Sequence, residues 1–186
     1  LGYLAPGRRR RLRLGWHRVS SAFSGDDSLQ AERDTIMSQA RQFVLRVNTY
    51  GPDMVQNGQI STYRDQVDQV ITAKYRTDFE KNGVPLVQAT VTQLGVKRSA
   101  EVYSTGVAAL DPAPDAGTAT ALVAGAFTNS YPKKKGSTQY VAANPSPFRF
   151  EVSLVKSNGT WLIDSFTPVS QADTAGTTGS TDGAAQ

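Results

Sequence analysis

FRFEVSLVKSNGTWLIDSFTPV, residues 148–169, alternates apolar and polar side chains on both sides of an Asn-Gly pair. Asn158-Gly159 is the sequence of a type I′ turn, whose two positive φ angles match the twist of the strands it joins. A two-residue loop there sets Leu154 opposite Ile163, Val152 opposite Ser165 and Lys156 opposite Trp161. Phe150, Val152, Leu154, Trp161 and Ile163 then share one face, and Ser153 meets Asp164 on the other. Val155, Leu162 and Phe166 fall on the outward face, which makes that face a candidate for pairing with a second copy of the chain. Asn158-Gly159-Thr160 also spells a glycosylation acceptor, but the turn accounts for these residues by itself.

Working back from this hairpin, Val102–Leu110 and Thr118–Asn129 carry the same two-residue period and flank a Pro-, Asp- and Gly-containing loop at 111–117, which reads as a second hairpin. Residues 131–147 between the hairpins read as a long loop holding Lys133, Lys134 and Lys135. Upstream the period lengthens. Ile36, Ala40, Phe43, Val44, Val47 and Tyr50 write one apolar stripe on a helix over about 28–49, capped by Asp26, Asp27 or Ser28 and stopped by Gly51-Pro52. Ile60, Tyr63, Val67, Val70 and Ile71 write a second helix over about 60–81, ending at Asn82-Gly83, with Arg64, Asp65, Asp68, Gln69 and Arg76 on its solvated side. A short third helix fits 84–95, with Pro85 in its first turn and Gly95 as its C-cap. Three helices followed by four antiparallel strands is an α+β order, with helices on one face of a curved sheet.

The charge is unevenly distributed. The chain has 186 residues and a net charge of +4, yet Arg8, Arg9, Arg10, Arg11, Arg13 and Arg18 place six of its 20 basic residues in the first 18 positions, which hold no acid. The 14 that remain face all 16 acids, so the rest of the chain carries −2 and is not the basic body of a nucleic-acid-binding domain. Residues 1–26 read as a flexible leader and 27–169 as the folded domain. Residues 170–186, with no aliphatic side chain larger than Ala, read as a disordered tail. The alternation of Arg11, Leu12, Arg13, Leu14 and Trp16 suits contact with an anionic membrane surface, or the flank of an anchor. No stretch approaches the roughly 20 apolar residues that span a bilayer. Because residue 1 is Leu rather than Met, an upstream anchor stays open.

Gly159, Trp161, Leu162, Ile163, Phe166, Pro168 and Val169 carry a motif that, together with ARQFVLRVNTYGPD, AEVYSTGVAAL and TATALVAGAFTNS, resembles the actinobacterial Mce-associated membrane proteins over roughly residues 28–169. The resemblance implies the cone-shaped fold of the nuclear transport factor 2-like superfamily. It also implies an accessory, non-enzymatic role beside an Mce-type lipid transport system in the cell envelope, exerted through protein contacts, with the domain outside the cytoplasm. Two alternatives stand beside it: a small-molecule enzyme or lipid-binding module with a pocket in the cone, of the isomerase or cyclase kind, and an assembly subunit of a secretion or conjugation channel.

An enzyme of this fold needs a carboxylate or His base inside the cone and a Tyr or acid donor opposite it. Tyr50, Tyr63, Tyr75, Tyr103 and Trp161 are candidates to line a pocket, and Asp53, Asp68, Asp78 or Asp164 to supply a base. No spacing selects a pair, so no catalytic residue is assigned. The register of the last hairpin turns Asp164 away from Trp161 and Ile163. His17, the one histidine, sits among leader arginines. Zero Cys excludes thiolate sites, and neither a metal nor a cofactor is expected. Arg8, Arg9, Arg10, Arg11, Arg13, Lys133, Lys134 and Lys135 are the candidate membrane or partner contacts. The partners expected are proteins of a membrane lipid transporter, an anionic membrane surface and a second copy of the chain, not nucleic acid.

Overall fold

The structure is a computed structural model that describes residues 23–114 and 116–169. Helix α1 runs Phe23–Val47, a 3₁₀ turn follows at Pro52–Met54, then come α2 (Ser61–Asp68), α3 (Ala73–Asp78), a π turn (Phe79–Gly83) and α4 (Val84–Leu94). Strands β1 (Lys97–Asp111), β2 (Thr118–Pro132), β3 (Tyr140–Ala142), β4 (Ser146–Ser157) and β5 (Thr160–Pro168) complete the chain. The strands form one antiparallel sheet in the order β1-β2-β4-β5, and β3 pairs with the end of β2. Helices before strands, packed on one face of an open sheet, is the expected α+β arrangement. The leader arginines and the tail at 170–186 lie outside the described residues.

The apolar periods place the core where the sequence put it. Ile36, Ala40, Phe43 and Val44 of α1, Tyr63 and Val67 of α2, and Val152, Leu154, Trp161 and Ile163 of the last hairpin are all buried. Asn158 and Gly159 have φ of 50° and 76°, and Ser157 faces Thr160, so the I′ turn forms as expected.

The differences are local and have physical causes. Helix α1 starts at Phe23, so Asp26, Asp27 and Ser28 lie within it and none caps it. The second helix does not run unbroken through 60–81. Val70, Ile71 and Thr72 are β-branched and leave the helix to lie along the sheet edge, where Ile163 N–H donates to Val70 O (2.9 Å) and Thr72 N–H to Ile163 O (2.8 Å). Thr72 then caps α3, its side chain accepting from Tyr75 N–H. Asn82-Gly83 ends nothing. Gly83 is helical (φ −74°, ψ −52°), and the chain passes through the π turn directly into α4. Pro85 explains the π turn, because it offers no N–H to the carbonyl four residues back and its ring crowds that group. Gly83 also lets the turn close on Phe79, since a Cβ there would lie 2.7 Å from the ring. Gly95, at φ 65°, is the expected left-handed C-cap.

In the sheet, the region read as a 131–147 loop contains β3, giving a fifth strand. The last hairpin keeps its expected register only from Leu154↔Ile163 to the turn. A bulge at Asp164 then sets Ser153 opposite Ser165 and Val152 opposite Phe166, in place of Asp164 and Ser165. The extra residue turns Phe166 inward, against Phe43 (5.2 Å between ring centres) and Phe150 (5.2 Å), so it leaves the outward set that Val155 and Leu162 were expected to share with it.

Candidate functional site

The concavity between helices and sheet is the place where an enzyme of this shape would hold its substrate, and here side chains occupy it. Phe43 of α1 is 0% exposed and meets Tyr75 and Phe166 edge-on. Tyr63 of α2 is 1% exposed and lies between Tyr50 (5.9 Å) and Phe79 (5.8 Å). Phe148 stacks on Phe150 at 4.8 Å and on Phe127 at 6.1 Å. At the sheet end of this row, the Arg98 guanidinium sits over the rings of Phe127 (4.4 Å) and Tyr50 (5.3 Å), with its Nε donating to Asn129 Oδ1 at 2.8 Å. Main-chain bonds between Tyr50 and Arg98 in both directions, 3.0 and 2.8 Å, fix that closure.

Of the residues expected to line a pocket, Tyr50 and Tyr63 come together and Tyr75 joins the neighbouring aromatic cluster. Trp161 is buried elsewhere, beside Lys156, whose ammonium pairs with Glu32 of α1. Tyr103 is excluded from the group: it lies on β1 at 64% exposure. Burial pushes the Tyr63 and Tyr75 phenols well above their usual range, with the neighbouring Tyr50 adding to the effect at Tyr63 and Asp78 at Tyr75. Burial also raises Tyr50, against the opposing pull of Arg98. The Tyr63 hydroxyl donates to Val47 O at 3.1 Å, which satisfies it within the fold.

Among the described residues no carboxylate hydrogen-bonds to these hydroxyls, although Asp78 lies near enough to Tyr75 to act on its phenol electrostatically. Asp53 and Asp78 are exposed. Asp68, at the end of α2, lies 3.6 Å from Arg76 Nε, and its pKa is raised by burial against the lowering pull of that arginine. Asp164 accepts from Lys74 Nζ (2.7 Å) and Thr72 Oγ1 (2.9 Å), and the Lys74 hydrogen bond chiefly holds it below the usual carboxylate range. The cross-strand pairing with Ser153 expected of it does not form; Asp164 instead ties the sheet edge to the start of α3. Among the described residues, no three His, Asp or Glu side chains cluster as metal ligands would.

A wide open space lies outside the cone. A groove of about 1080 Å³ runs between the 3₁₀ turn at Pro52, the C-terminal end of α4 and the β2–β3 hairpin. Val91, Leu94, Tyr131, Pro132 and Tyr140 give it apolar walls, while Lys97 and Lys135 reach into it. Lys97 Nζ lies 4.5 Å from the centre of the Tyr140 ring. The hairpin tip is held by Lys133 N–H donating to Gln139 O and Ser137 N–H to Lys134 O, both 2.9 Å, so Lys133, Lys134 and Lys135 are carried on an ordered turn. Sequence reasoning named these lysines but missed the groove. Its walls come from three segments distant in sequence, and no local motif announces it.

No protein-family model and no curated protein matches the sequence. Among solved structures the chain is similar to a periplasmic fragment of TraM, at a TM-score of 0.51 and 8% identity over 73% of this chain and 95% of that one. It is also similar to the periplasmic domain of DotI (TM-score 0.48, 12% identity, 83% of this chain and 99% of that one). A third structure is an Ntf2-like protein involved in plasmid conjugation (TM-score 0.45, 14% identity, 73% of this chain), of which the chain spans 48%. At these identities the likeness is one of fold. Helices on an open antiparallel sheet are consistent with the cone-shaped nuclear transport factor 2-like fold. No helix among the described residues is long and apolar enough to cross a membrane.

Proposed function

We propose that this domain is a non-enzymatic contact module of a membrane-associated assembly in the cell envelope, working through its outer surface. The observation that carries the reading is the filled concavity. Phe43, Tyr63, Val67, Val152 and Leu154 are each at most 1% exposed where a substrate would lie, and among the described residues no carboxylate hydrogen-bonds to Tyr50, Tyr63 or Tyr75. General acid–base chemistry needs its groups within hydrogen-bond reach of the reacting atom. The hydroxyl of Tyr63, the most buried of these tyrosines, is already committed to Val47 O.

The assembly we favour is an Mce-type lipid transport system, on the resemblance carried by Gly159, Trp161, Leu162, Ile163, Phe166, Pro168 and Val169. In this reading the domain sits outside the cytoplasmic membrane, with Arg8–Arg13 against anionic lipid. A second reading, a subunit of a conjugation or secretion channel, is supported by the likeness in fold to the periplasmic fragment of TraM. Chemical crosslinking in intact cells, followed by purification of the tagged full chain and mass spectrometry, separates the two. Recovery of lipid-transporter subunits supports the first and channel subunits the second. Turnover of a steroid, polyketide or epoxide at enzyme-like rates by the purified chain would overturn both.

A further inference from the structure

The geometry points to the groove between α4 and the β2–β3 hairpin as a docking site for an acidic segment of a partner protein that carries aliphatic or aromatic side chains. This inference rests on the contact-module reading and gives that module a specific surface.

Three observations meet at the groove. The first is exposed apolar surface in a concave setting. Leu94 is 62% exposed and Tyr131 48%, and both line the groove above the buried Val91. Large apolar side chains left open and gathered along one concavity mark an interaction site more often than the same residues scattered singly.

The second is unbalanced positive charge. Lys97 and Lys135 line the groove, with Lys133 and Lys134 beside them on the hairpin, and Asp53 is the sole acid among the described residues that line it. None of the four lysines has a carboxylate within salt-bridge distance among the described residues, whereas Lys74, Lys156, Arg64 and Arg76 are each paired. Beyond its first 18 residues the sequence carries a net −2, so this cluster is a local reversal of sign. Complementary charge of that kind selects a partner and speeds its encounter.

The third is that the surface is already built. The hairpin's cross-strand bonds and the Lys97–Tyr140 contact hold the cationic rim in place, and a preordered site spends less of its binding energy on ordering itself. A flat lipid surface would meet the hairpin lysines but would not enter the concavity behind them. An acidic segment with apolar side chains satisfies both features at once.

The test is fluorescence anisotropy with the full chain and a labelled short peptide of alternating Glu and Leu around one Trp. The comparison probes are the same peptide with Lys for Glu, a peptide of Glu alone, and phosphatidylcholine vesicles containing phosphatidylglycerol. The Glu-Leu-Trp peptide is expected to bind, more weakly as salt rises, and to lose roughly tenfold in affinity in Lys133→Glu/Lys134→Glu/Lys135→Glu. Leu94→Ser, a surface change that leaves the core intact, is expected to weaken it roughly threefold. The inference is overturned if that peptide fails to bind, if both variants bind it like the wild type, if the all-Glu peptide binds equally well, or if the vesicles bind through the same lysines. Crosslinking the charge-reversed variant in cells separates the two levels of the account. A partner still captured by it would overturn the groove and leave the contact module standing, whereas a wild-type chain that captures no protein removes both.

Discussion

Replacing Phe43 by Ala removes a whole ring from the centre of the concavity. Phe43 is fully buried and touches Tyr75 and Phe166 in edge-to-face contacts at 6.1 and 5.2 Å. Truncating such a residue loses its transfer free energy and leaves a cavity, together about 3–5 kcal/mol, a range that already contains most of the edge-to-face contribution. Against a total stability of about 5–15 kcal/mol, that is a large fraction. With a urea slope of about 2 kcal/mol per molar, the unfolding midpoint falls by roughly 2 M. Circular dichroism during urea titration reads the shift directly, and Leu94→Ala, exposed and outside the core, is the matched control with an expected loss under about 0.5 kcal/mol. A loss below about 1 kcal/mol for Phe43→Ala would refute the reasoning. It would mean that the space around Phe43 is already open, as in a ligand pocket, and the filled-cone argument for a non-enzymatic role would fall with it.

Gly125→Ala is expected to cost about 2–4 kcal/mol by overpacking, because its new Cβ would lie 2.1 Å from Glu101 O and 2.7 Å from the Phe148 ring; thermal unfolding measures it. Asp164→Asn is expected to cost about 1 kcal/mol, most of it from the part-buried Thr72 bond, since Lys74 is largely exposed and its ion pair is screened. The folded pKa of Asp164 lies below its unfolded value, so its contribution is complete above pH about 4 and is lost as pH falls through the folded value. The wild type and Asp164→Asn should therefore converge in stability in acid, and a constant difference down to full protonation would contradict the linkage. Tyr63 and Tyr75 have folded pKa values above their unfolded ones, so stability should decline as pH rises past about 10. In a phenolate absorbance titration, two tyrosines should ionise only as the chain unfolds.

How much of this was legible in the sequence differs from element to element. The Asn158-Gly159 turn was readable because its chemistry is local: two residues that tolerate positive φ, with alternating side chains on each side. The Asp164 bulge three residues beyond Trp161 was not, because Thr72 and Lys74, its hydrogen-bond partners, lie about ninety positions away. The break between α2 and α3 was written in Val70-Ile71-Thr72, yet Ile60 to Ile71 also fit a helical stripe, and pairing with Ile163 decided between the two. The buried positions followed from the apolar periods, but that, among the described residues, they fill the interior and leave no pocket there did not. The groove did not either, since each wall is unremarkable until the fold brings Pro52, Leu94 and Tyr131 together.

The most direct test of the central claim is site-specific photocrosslinking in intact cells, with a benzophenone side chain at Tyr131 in the groove or at Tyr103 on the exposed face of β1. The account expects a discrete protein adduct from Tyr131, identified by mass spectrometry as a subunit of a membrane complex, and far less from Tyr103. Equal labelling at both positions, or lipid adducts alone at Tyr131, would contradict it.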